Sequence, residues 1–556
     1  MNNPVQVKCL NNGITKLVEK GTSLFQIIED FNVSLKSPIL GALVNNTFKD
    51  LSFEIFHPKS ILFIDITHPE GMRIYIRSLS FVMYKAVDDI FPESKLRICH
   101  SISKGIYCEI LNMDHPLSEN DIDSVKQRMG KIINDDLPFI HKEGLAEEVI
   151  KDFEEHGLID KIHLLKSWGR NYISYYQLND HYNTFYGCLV PSTGYLKVFD
   201  LVKYFDGMLL RVPKKSDPRV VEDIIVQNNL FEIFNENTQW SQILEVPGVS
   251  DLNSACSNGK SERLIKIAEA LHEKKIAQIA DNITSRMEHP VKVVLISGPS
   301  SSGKTTFAKR LAVQLMVNGK KPVNISIDNY FVNRDKTPLD ENGDYDFESI
   351  DALDLELFNN NLLDLLNFRK VELPKFSFEK GERYYDGEFI ECTPDNLIII
   401  EGIHALNPKL TTLIPDDLKY KIYVSALTSL NLDNQNRIST TDNRLIRRIV
   451  RDYQYRHYSA KETISRWPSV GKGEELHIFP FQEKADIMFN SALIYELAML
   501  KCYVEPILQE INPNEPEYAE ASRLLQFLSY IKPLRSTEIP PTSILREFLG
   551  GSSFSY

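Results

Sequence analysis

The stretch VKVVLISGPSSSGKTTFAKRLAVQLMV, residues 291–317, decides the fold of the C-terminal part of this chain. It begins with a short β-branched run, VKVVLIS, of the kind that forms a buried parallel strand. A turn rich in glycine and serine follows, and after it a run with helical periodicity, TFAKRLAVQLMV. A strand, a glycine-containing loop and a helix in this order predict a parallel β-sheet flanked by helices.

The turn between strand and helix matches G-x-x-x-x-G-K-[ST], which in this context predicts a phosphate-binding loop. Glycines let the backbone curl so that successive N–H groups face phosphates, and the helix N-terminus adds positive potential. We expect Lys304 to reach the β- and γ-phosphates of a nucleotide and the Thr305 hydroxyl to bind Mg²⁺. A chance glycine-rich turn is the alternative, and the accompanying strand, lysine, threonine and helix disfavour it. The predicted nucleotide-binding residues here are Gly298, Ser300, Ser301, Ser302, Gly303, Lys304, Thr305 and Thr306.

A second carboxylate for Mg²⁺ is expected at the end of another buried strand. NLIIIEG, residues 396–402, supplies Glu401 directly after four apolar residues, which favours a metal-linked role over a solvent-facing glutamate. The guanine-reading pattern N-K-x-D is absent downstream, and DENG at 340–343 is only a weak match to D-x-x-G. A GTPase is therefore disfavoured.

A kinase also needs a base for the proton of an acceptor hydroxyl. KPVNISIDNYF, residues 321–331, predicts a strand over Val323–Ile327 that ends at Asp328. In an open α/β sheet the strand C-termini line the ligand crevice, so Asp328 would face the phosphates and could accept the proton. Asp328 and Asn329 as a simple turn are the alternative, and these residues alone leave the two interpretations open.

Taken together, these motifs resemble the uridine kinase/phosphoribulokinase family of P-loop kinases over roughly residues 285–510. SIDNYF (326–331) is similar to the family's S-x-D-x-F/Y, which implies that Asp328 is catalytic. YDFESIDALD (345–354) is similar to its F-D-H-P-x-A-x-D acceptor loop but two residues longer, and the match implies that Asp346 hydrogen-bonds the ribose hydroxyls of a nucleoside. PKFSF (374–378) is similar to the P-x-Y-D-F element, which implies that Phe376 and Phe378 form the platform for the base.

The acceptor side departs from the family pattern. The H-P pair of the acceptor loop is missing, and Gly381 stands where nucleoside kinases have a histidine. Both changes fall in the expected acceptor pocket. Phosphoryl transfer is therefore better supported than uridine as the acceptor.

RLIRRIVRD, residues 444–452, resembles the family's lid helix, R-L-x-R-R-x-x-R-D. Arg444, Arg448 and Arg451 recur at i, i+4 and i+7 and share one helix face. The resemblance implies that Arg448, Arg451 and the later Arg456 close over the nucleotide phosphates and neutralise charge in the transition state. Without the resemblance, the pattern favours a solvated basic helix, with an RNA-contacting patch as the second alternative.

The front half resembles two modules of tRNA synthetases. Residues 1–65 are similar to a TGS domain, a ubiquitin-like β-grasp module. Residues 66–240 are similar to the editing-type second domain of threonyl- and alanyl-tRNA synthetases, through FP (91–92), SVKQRMGKIINDDLPF (124–139) and VPSTGYLKVFDL (190–201). Editing domains carry a plausible zinc set of histidines and a cysteine, and here the matching positions hold Arg77, Phe81, Phe185 and Leu189. We expect neither a metal nor deacylase activity in this module.

Length and composition agree with a multidomain cytoplasmic protein. The chain has 556 residues, a formal charge of −13 and seven scattered cysteines without a C-x-x-C pair, which suits reduced thiols. No secretory signal layout and no apolar stretch long enough to span a bilayer are present, so no membrane association is expected. The expected fold class is α/β and α+β. The expected domains are 1–65 (TGS-like), 66–240 (editing-like), 241–284 (linker and helix), 285–510 (P-loop kinase-like) and 511–556 (C-terminal tail).

The sequence predicts an ATP- and Mg²⁺-dependent kinase that phosphorylates a small acceptor, with the 5′-OH of a uridine- or cytidine-like nucleoside favoured. One alternative is a module in which ATP switches RNA or tRNA binding by the front half without nucleoside turnover. The charge of −13 does not encourage that alternative. A second alternative is a kinase of another sugar or small alcohol. Homo-oligomer formation and the role of the tail are left open.

Overall fold

The computed structural model describes residues 4–286, 290–339, 343, 345–377, 379–535 and 537–555. The fold is multidomain, with α+β units in the front half and an α/β unit at the back. Within the described ranges, no helix combines the length and apolar character needed to cross a membrane.

The first unit is a β-grasp module, as predicted. Its mixed sheet has the order β2-β1-β7-β4-β5, in which β1 and β7 run parallel and the remaining pairs antiparallel. Ser23 caps helix α1 in a capping box with Gln26. The elements are β1 (Val5–Cys9), β2 (Thr15–Val18), β3 (Thr22–Ser23), α1 (Leu24–Asp30), β4 (Gly41–Val44), β5 (Thr47–Lys49), β6 (Glu54–Ile55) and β7 (Lys59–Ile64).

The second unit packs two helices on an antiparallel sheet. This sheet has the order β13-β14-β9-β8, and a separate three-stranded sheet has the order β10-β11-β12. The long helix α2 contributes a fully buried stripe that includes Leu79, Phe81 and Val82. The elements are α2 (Pro69–Ile90), β8 (Lys95–Ile102), β9 (Gly105–Leu111), α3 (Glu119–Asn134), β10 (Ile140–Leu145), α4 (Ala146–Glu155), α5 (Ile159–Trp168), β11 (Tyr172–Leu178), β12 (His181–Asn183), β13 (Asp200–Tyr204) and β14 (Gly207–Arg211).

Three helices connect the front half to the α/β unit: α6 (Asn228–Ile243), α7 (Val249–Ser257) and α8 (Ser261–Thr284). Residues 241–259, the first part of the expected linker and helix, form the end of α6 and all of α7 rather than an exposed linker. Val249 and Leu252 of α7 are fully buried, which explains why a polar composition still folds as helix. Helix α8 buries one face and packs on the helix that follows the phosphate loop, where Arg310 pairs with Glu273 at 2.6 Å.

The C-terminal unit is built on a five-stranded parallel sheet of order β16-β21-β15-β22-β23. Its central strand β15 is buried along its whole length, as its apolar run predicts. The elements are β15 (Val293–Ser297), α9 (Lys304–Val317), β16 (Lys321–Ser326), α10 (Leu355–Leu366), β17 (Val371–Glu372), β18 (Lys375–Ser377), β19 (Glu382–Tyr384), β20 (Phe389–Ile390), β21 (Asn396–Glu401), β22 (Lys419–Ser425), α11 (Thr440–Tyr455), α12 (Ala460–His477), β23 (Ile487–Asn490), α13 (Glu496–Gln509), α14 (Tyr518–Ser529) and α15 (Arg546–Leu549).

The segment before helix α11, residues 431–436, is held by the front half. Lys161 of α5 and Asp433 form a fully buried ion pair at 3.1 Å. The Asn434 N–H donates to Asp160 at 2.9 Å, and its carbonyl accepts from the Ile98 N–H at 2.7 Å. The base of the predicted lid helix is therefore anchored in the editing-like unit.

A second buried network joins α14, α11 and α2. Arg523 contacts both carboxylate oxygens of Asp442, at 2.7 and 2.9 Å, and pairs with Glu520 at 2.6 Å. Glu520 also pairs with Arg73 at 3.1 Å. Because Arg523 and Asp442 are both buried, each of the two charges is stabilised mainly by the other.

We expect Arg523→Ala to destabilise the protein by about 3–5 kcal/mol, because it leaves Asp442 buried without its main partner. Urea unfolding and the melting temperature would measure the loss. Lys166→Ala is the matched control, since it removes an exposed pair with Glu154 and should cost much less. Equal losses in the two variants would contradict the role given to the network.

Candidate functional site

The phosphate loop joins β15 to α9, and its two glycines are required by the backbone. A Cβ at Gly298 would lie 1.9 Å from the Val424 carbonyl oxygen. Gly303 has φ +81°, and Ser301 also adopts a left-handed conformation with φ +58°. The loop therefore has the curled form predicted from its sequence, wrapped around the N-terminus of α9.

The loop presents groups suited to an anion. The first N–H groups of α9 have no partner within the helix. The hydroxyls of Ser301 and Ser302 are buried and have no hydrogen-bond partner among the described residues. The Lys304 Nζ donates to the Pro299 carbonyl at 3.1 Å, and burial lowers the pKa of Lys304 while the nearby Glu401 and Asp328 carboxyls oppose the shift. The loop thus offers orphaned polar donors and a desolvated cation, which fits a bound polyphosphate.

Asp328 and Glu401 meet at the carboxyl edge of the sheet. Ser326, the last residue of β16, pairs in register with Glu401, the last residue of β21, and Asp328 follows two residues later. Burial in the crevice raises the pKa of Glu401 to about 7, and the neighbouring Asp328 adds to this rise. Desolvation by the crevice also raises the pKa of Asp328, although the residue is exposed at the surface, and the charges of Lys304, Arg456 and Arg451 oppose the rise. The two carboxyls therefore compete for one proton beside Lys304.

The sequence assigned Mg²⁺ to Thr305 and Glu401. Thr305 lies on the first turn of α9 beside Lys304 and is half-buried. Glu401 is the last residue of β21. This strand pairs with β15, which leads into the phosphate loop. A hydroxyl and a carboxylate are ligand types that Mg²⁺ accepts, so this pair could hold the ion together with phosphate oxygens. The metal assignment stays a prediction.

The predicted lid arginines converge on one buried carboxylate, Asp452, and Arg448 also reaches the phosphate loop. Arg448 donates to the Ser300 hydroxyl at 2.8 Å and to Asp452 at 3.2 Å. Arg451 and Arg456 contact Asp452 at 2.8 and 3.7 Å. The neighbouring Arg451 charge, with burial, lowers the pKa of Arg456 to about 10. Three guanidinium groups around one carboxylate leave this end of the lid helix with a net positive charge.

Arg444, on the same helix face, has a structural role, because it connects the phosphate loop to α12. Its Nε donates to the Ser300 carbonyl at 3.0 Å, and its guanidinium pairs with Glu474 of α12 inside the protein. Glu474 in turn accepts the Ser300 N–H at 2.9 Å. Nothing in the local sequence of α12 pointed to Glu474, because its role depends on contacts with Arg444 and Ser300, which are 30 and 174 positions away.

The acceptor loop orients two acidic residues differently. Asp346, the predicted ribose ligand, accepts the Glu348 N–H at 3.1 Å within its own turn. Glu348 faces the crevice, where burial raises its pKa to about 7 and where the charges of Arg448, Lys304 and Asp328 act on it. If YDFESIDALD is aligned without a gap to F-D-H-P-x-A-x-D from the C-terminal end, Glu348 matches the first aspartate of the family pattern. The role of Asp346 stays a prediction, and Glu348 is the additional candidate.

We expect Glu348→Gln to remove a pH dependence of stability. The pKa of Glu348 is about 7 in the folded protein, above its ordinary value of 4.5, so stability falls as pH rises between these values. The variant should melt higher than wild type at pH 8, by on the order of 2 °C or more, with a smaller difference at pH 5. Glu379→Gln, at an exposed position nearby, should melt like wild type at both pH values. A gain for Glu348→Gln that is larger at pH 5 would contradict the assignment.

Phe376 of β18 packs against Phe331, with ring centroids 5.6 Å apart, and Phe331 contacts Phe347 at 6.4 Å. These rings form an aromatic wall beside the acceptor loop. Phe378, the other predicted platform residue, lies outside the described residues. Gly381, at the family's histidine position, has φ +71°, and a Cβ there would lie 2.7 Å from the Arg334 Nε. A side chain at this position is therefore excluded by both backbone and packing.

In the editing-like unit, the four positions matched to metal ligands are occupied by packing contacts. The Arg77 guanidinium donates to the Cys188 carbonyl at 2.6 Å and pairs with Glu70 at 3.5 Å. Phe81 and Phe185 are buried with their ring centroids 5.7 Å apart. Leu189 is also buried.

Comparisons with known proteins support both halves of the sequence interpretation. Residues 293–497 match the model of the Phosphoribulokinase / Uridine kinase family. Over the N-terminal half the chain is similar to threonine–tRNA ligases. The relative from Syntrophomonas wolfei is 29% identical over 38% of this chain and 34% of its own length. The relative from Carboxydothermus hydrogenoformans is 31% identical over 38% and 36%. The two resemblances read from the motifs are thereby confirmed.

The chain spans about a third of the length of the curated relatives it matches. Among solved structures, one described as a possible uridine kinase from Bacillus stearothermophilus aligns with a TM-score of 0.28 and 18% identity. That alignment covers 39% of this chain and 98% of the other.

Proposed function

We propose that the C-terminal unit is an ATP-dependent kinase that transfers the γ-phosphoryl group to a hydroxyl of a small acceptor. The observation that carries this proposal is the convergence of Lys304, Asp328 and Glu401 at one edge of the parallel sheet, beside a phosphate loop. A phosphate loop alone would also suit a nucleotide switch. A carboxyl positioned beside the phosphates as a base distinguishes a kinase. The family match over residues 293–497 supports the same reaction class.

In this proposal the loop N–H groups and Lys304 bind the phosphates of ATP. Thr305 and Glu401 would hold Mg²⁺, which would neutralise charge on the bound phosphates. Arg448, Arg451 and Arg456 add positive charge where negative charge develops in the transition state.

Asp328 orients the acceptor hydroxyl and accepts its proton. A base works best when its pKa lies near the working pH, and burial has raised the pKa of this carboxyl toward that range. Lys304 beside it limits the rise and favours the ionised form. The proton leaves the acceptor oxygen as that oxygen forms its bond to phosphorus, and the ADP oxygen departs.

The acceptor is proposed to be a nucleoside bound through its 5′-OH, with Glu348 or Asp346 on the ribose and Phe376 beside the base. The aromatic wall next to the acceptor loop supports a planar ring over an open-chain alcohol. A sugar or another small alcohol is the second acceptor class, because the missing H-P pair and Gly381 alter this pocket.

ADP release with Mg-ATP tests the proposal against a panel of acceptors. The panel contains uridine, cytidine, adenosine, guanosine, ribulose 5-phosphate, D-glycerate and a blank without acceptor. Release that depends on one nucleoside would support the proposal in full. Release that depends on ribulose 5-phosphate or D-glycerate would retain the kinase and reject the nucleoside. ATP binding without acceptor-dependent release would reject the kinase and favour a nucleotide switch acting on RNA bound by the front half.

A further inference from the structure

The C-terminal residues 543–555, here called the strap, run across the phosphate loop. Ile544, Leu545 and Phe548 are fully buried in the same apolar core as the helix that follows the loop. Ile544 packs so closely that a Cβ at Gly303 would lie 2.5 Å from its Cγ2. Gly303 therefore serves two purposes. Its positive φ allows the backbone to turn, and its lack of a side chain leaves room for Ile544 of the strap.

Glu547 of the strap binds donors of the phosphate loop itself. Its Oε2 accepts the Thr306 N–H at 3.2 Å and the Thr306 hydroxyl at 2.6 Å. Thr306 is the third residue of α9, so its N–H is one of the donors at the N-terminus of this helix. In loops of this pattern such N–H groups cradle the α- and β-phosphates of a nucleotide. A carboxylate of the protein therefore stands where a phosphate oxygen would bind.

Further contacts tie the strap to both walls of the site. The Phe548 ring lies under the Arg447 guanidinium of the lid helix, 5.0 Å from its carbon atom. Lys309, one turn along α9, donates to the Ser555 carbonyl. A Cβ at Gly550 would lie 3.0 Å from the Tyr455 hydroxyl near the end of the lid helix. The strap thus bridges the phosphate loop and the lid helix and covers the gap between them.

We infer that the strap is a self-inhibitory element: Glu547 occupies the Thr306 donors and must leave them before nucleotide phosphates bind there. This inference rests on the proposed function, since it concerns the same nucleotide site. Two anions cannot both bind the N–H and the hydroxyl of Thr306 without strong electrostatic repulsion between them. Nucleotide binding and docking of Glu547 are therefore mutually exclusive, and each must weaken the other by the same factor.

The test compares full-length wild type with Glu547→Gln, which removes the competing charge at nearly constant shape. Glu538→Gln is the matched control, because Glu538 lies on the same C-terminal segment but pairs with Lys266 at 3.0 Å. Calorimetric affinities for a non-hydrolysable ATP analogue and for inorganic pyrophosphate would be measured with Mg²⁺. Hydrogen exchange of residues 543–555 in wild type, with and without the analogue, gives a readout that needs no variant.

We expect Glu547→Gln to bind both probes about tenfold more tightly than wild type, since a hydrogen bond to a charged group is lost from the competing state. Glu538→Gln should bind like wild type, and the analogue should accelerate exchange in the strap. Unchanged or weaker binding by Glu547→Gln, with exchange in the strap unaffected by the analogue, would overturn the inference and leave the proposed kinase intact. Failure of all three proteins to bind either probe, while each melts normally, would overturn both.

Discussion

Replacing Asp328 by alanine is expected to slow phosphoryl transfer by about 10²- to 10⁴-fold, the range typical of general-base catalysis. Nucleotide affinity should change little, because the loop N–H groups and Lys304 carry the binding of the phosphates in this proposal. The carboxyl lies beside Lys304 at the open edge of the sheet, where an acceptor hydroxyl would approach. Single-turnover rates at saturating ATP, together with calorimetric ATP affinity, separate the two effects.

The pH profile gives a second readout for this variant. Burial in the crevice raises the pKa of Asp328, and this carboxyl must be ionised to accept a proton. Wild-type turnover should therefore fall as pH drops and the Asp328 carboxyl takes up a proton, and the residual turnover of Asp328→Ala should not follow that profile. Asp335→Ala, at an exposed position seven residues along the chain, is the control and should retain wild-type turnover. Equal losses of rate and ATP affinity in Asp328→Ala would contradict the base assignment.

Replacing Lys304 by methionine is expected to have the second large effect, a loss of about 10³-fold or more in kcat/KM for ATP. Methionine keeps most of the apolar length of the side chain and removes the ammonium group. The loss should appear in both ATP affinity and rate, because a desolvated cation beside the phosphates acts in the ground state and in the transition state.

The Lys304 variant also tests the electrostatics of the crevice. Without the ammonium group, Asp328 and Glu401 lose the charge that opposes the rise of their pKa values, so both should titrate at higher pH than in wild type. Lys320→Met, which removes an exposed charge just beyond α9, should leave both kcat/KM and the pH profile unchanged. ATP affinity in Lys304→Met that matched wild type would contradict the assigned role.

Much of the site was predictable because its signals are short-range. Fewer than about fifteen consecutive residues encode each of three features: the phosphate loop, the buried strand that ends at Glu401 and the turn that contains Asp328. Apolar periodicity and glycine spacing determine such local structures, and parallel pairing of the strands then brings their carboxyl ends to one edge. The placement of the α11 arginines on one face was predictable in the same way, because it depends only on helical spacing.

The acceptor loop shows where local patterns stop being informative. Asp346 and Glu348 are two residues apart and carry the same charge, so the pattern alone did not decide which of them faces the crevice. The backbone of the loop decides it: the Asp346 carboxylate accepts the Glu348 N–H within the turn, and the Glu348 carboxyl is carried into the crevice.

By itself, the sequence determined the class of each unit, the phosphate loop, and the carboxylates and arginines expected around it. Tertiary structure alone decided that Glu474 and Arg444 brace the loop, that the front half anchors the base of the lid helix, and that the strap reaches Thr306. The Glu547–Thr306 contact joins residues 241 positions apart, and Lys161 and Asp433 are similarly distant. Such contacts leave no periodicity or spacing in the chain, because they arise only when separately folded units bury their surfaces against each other.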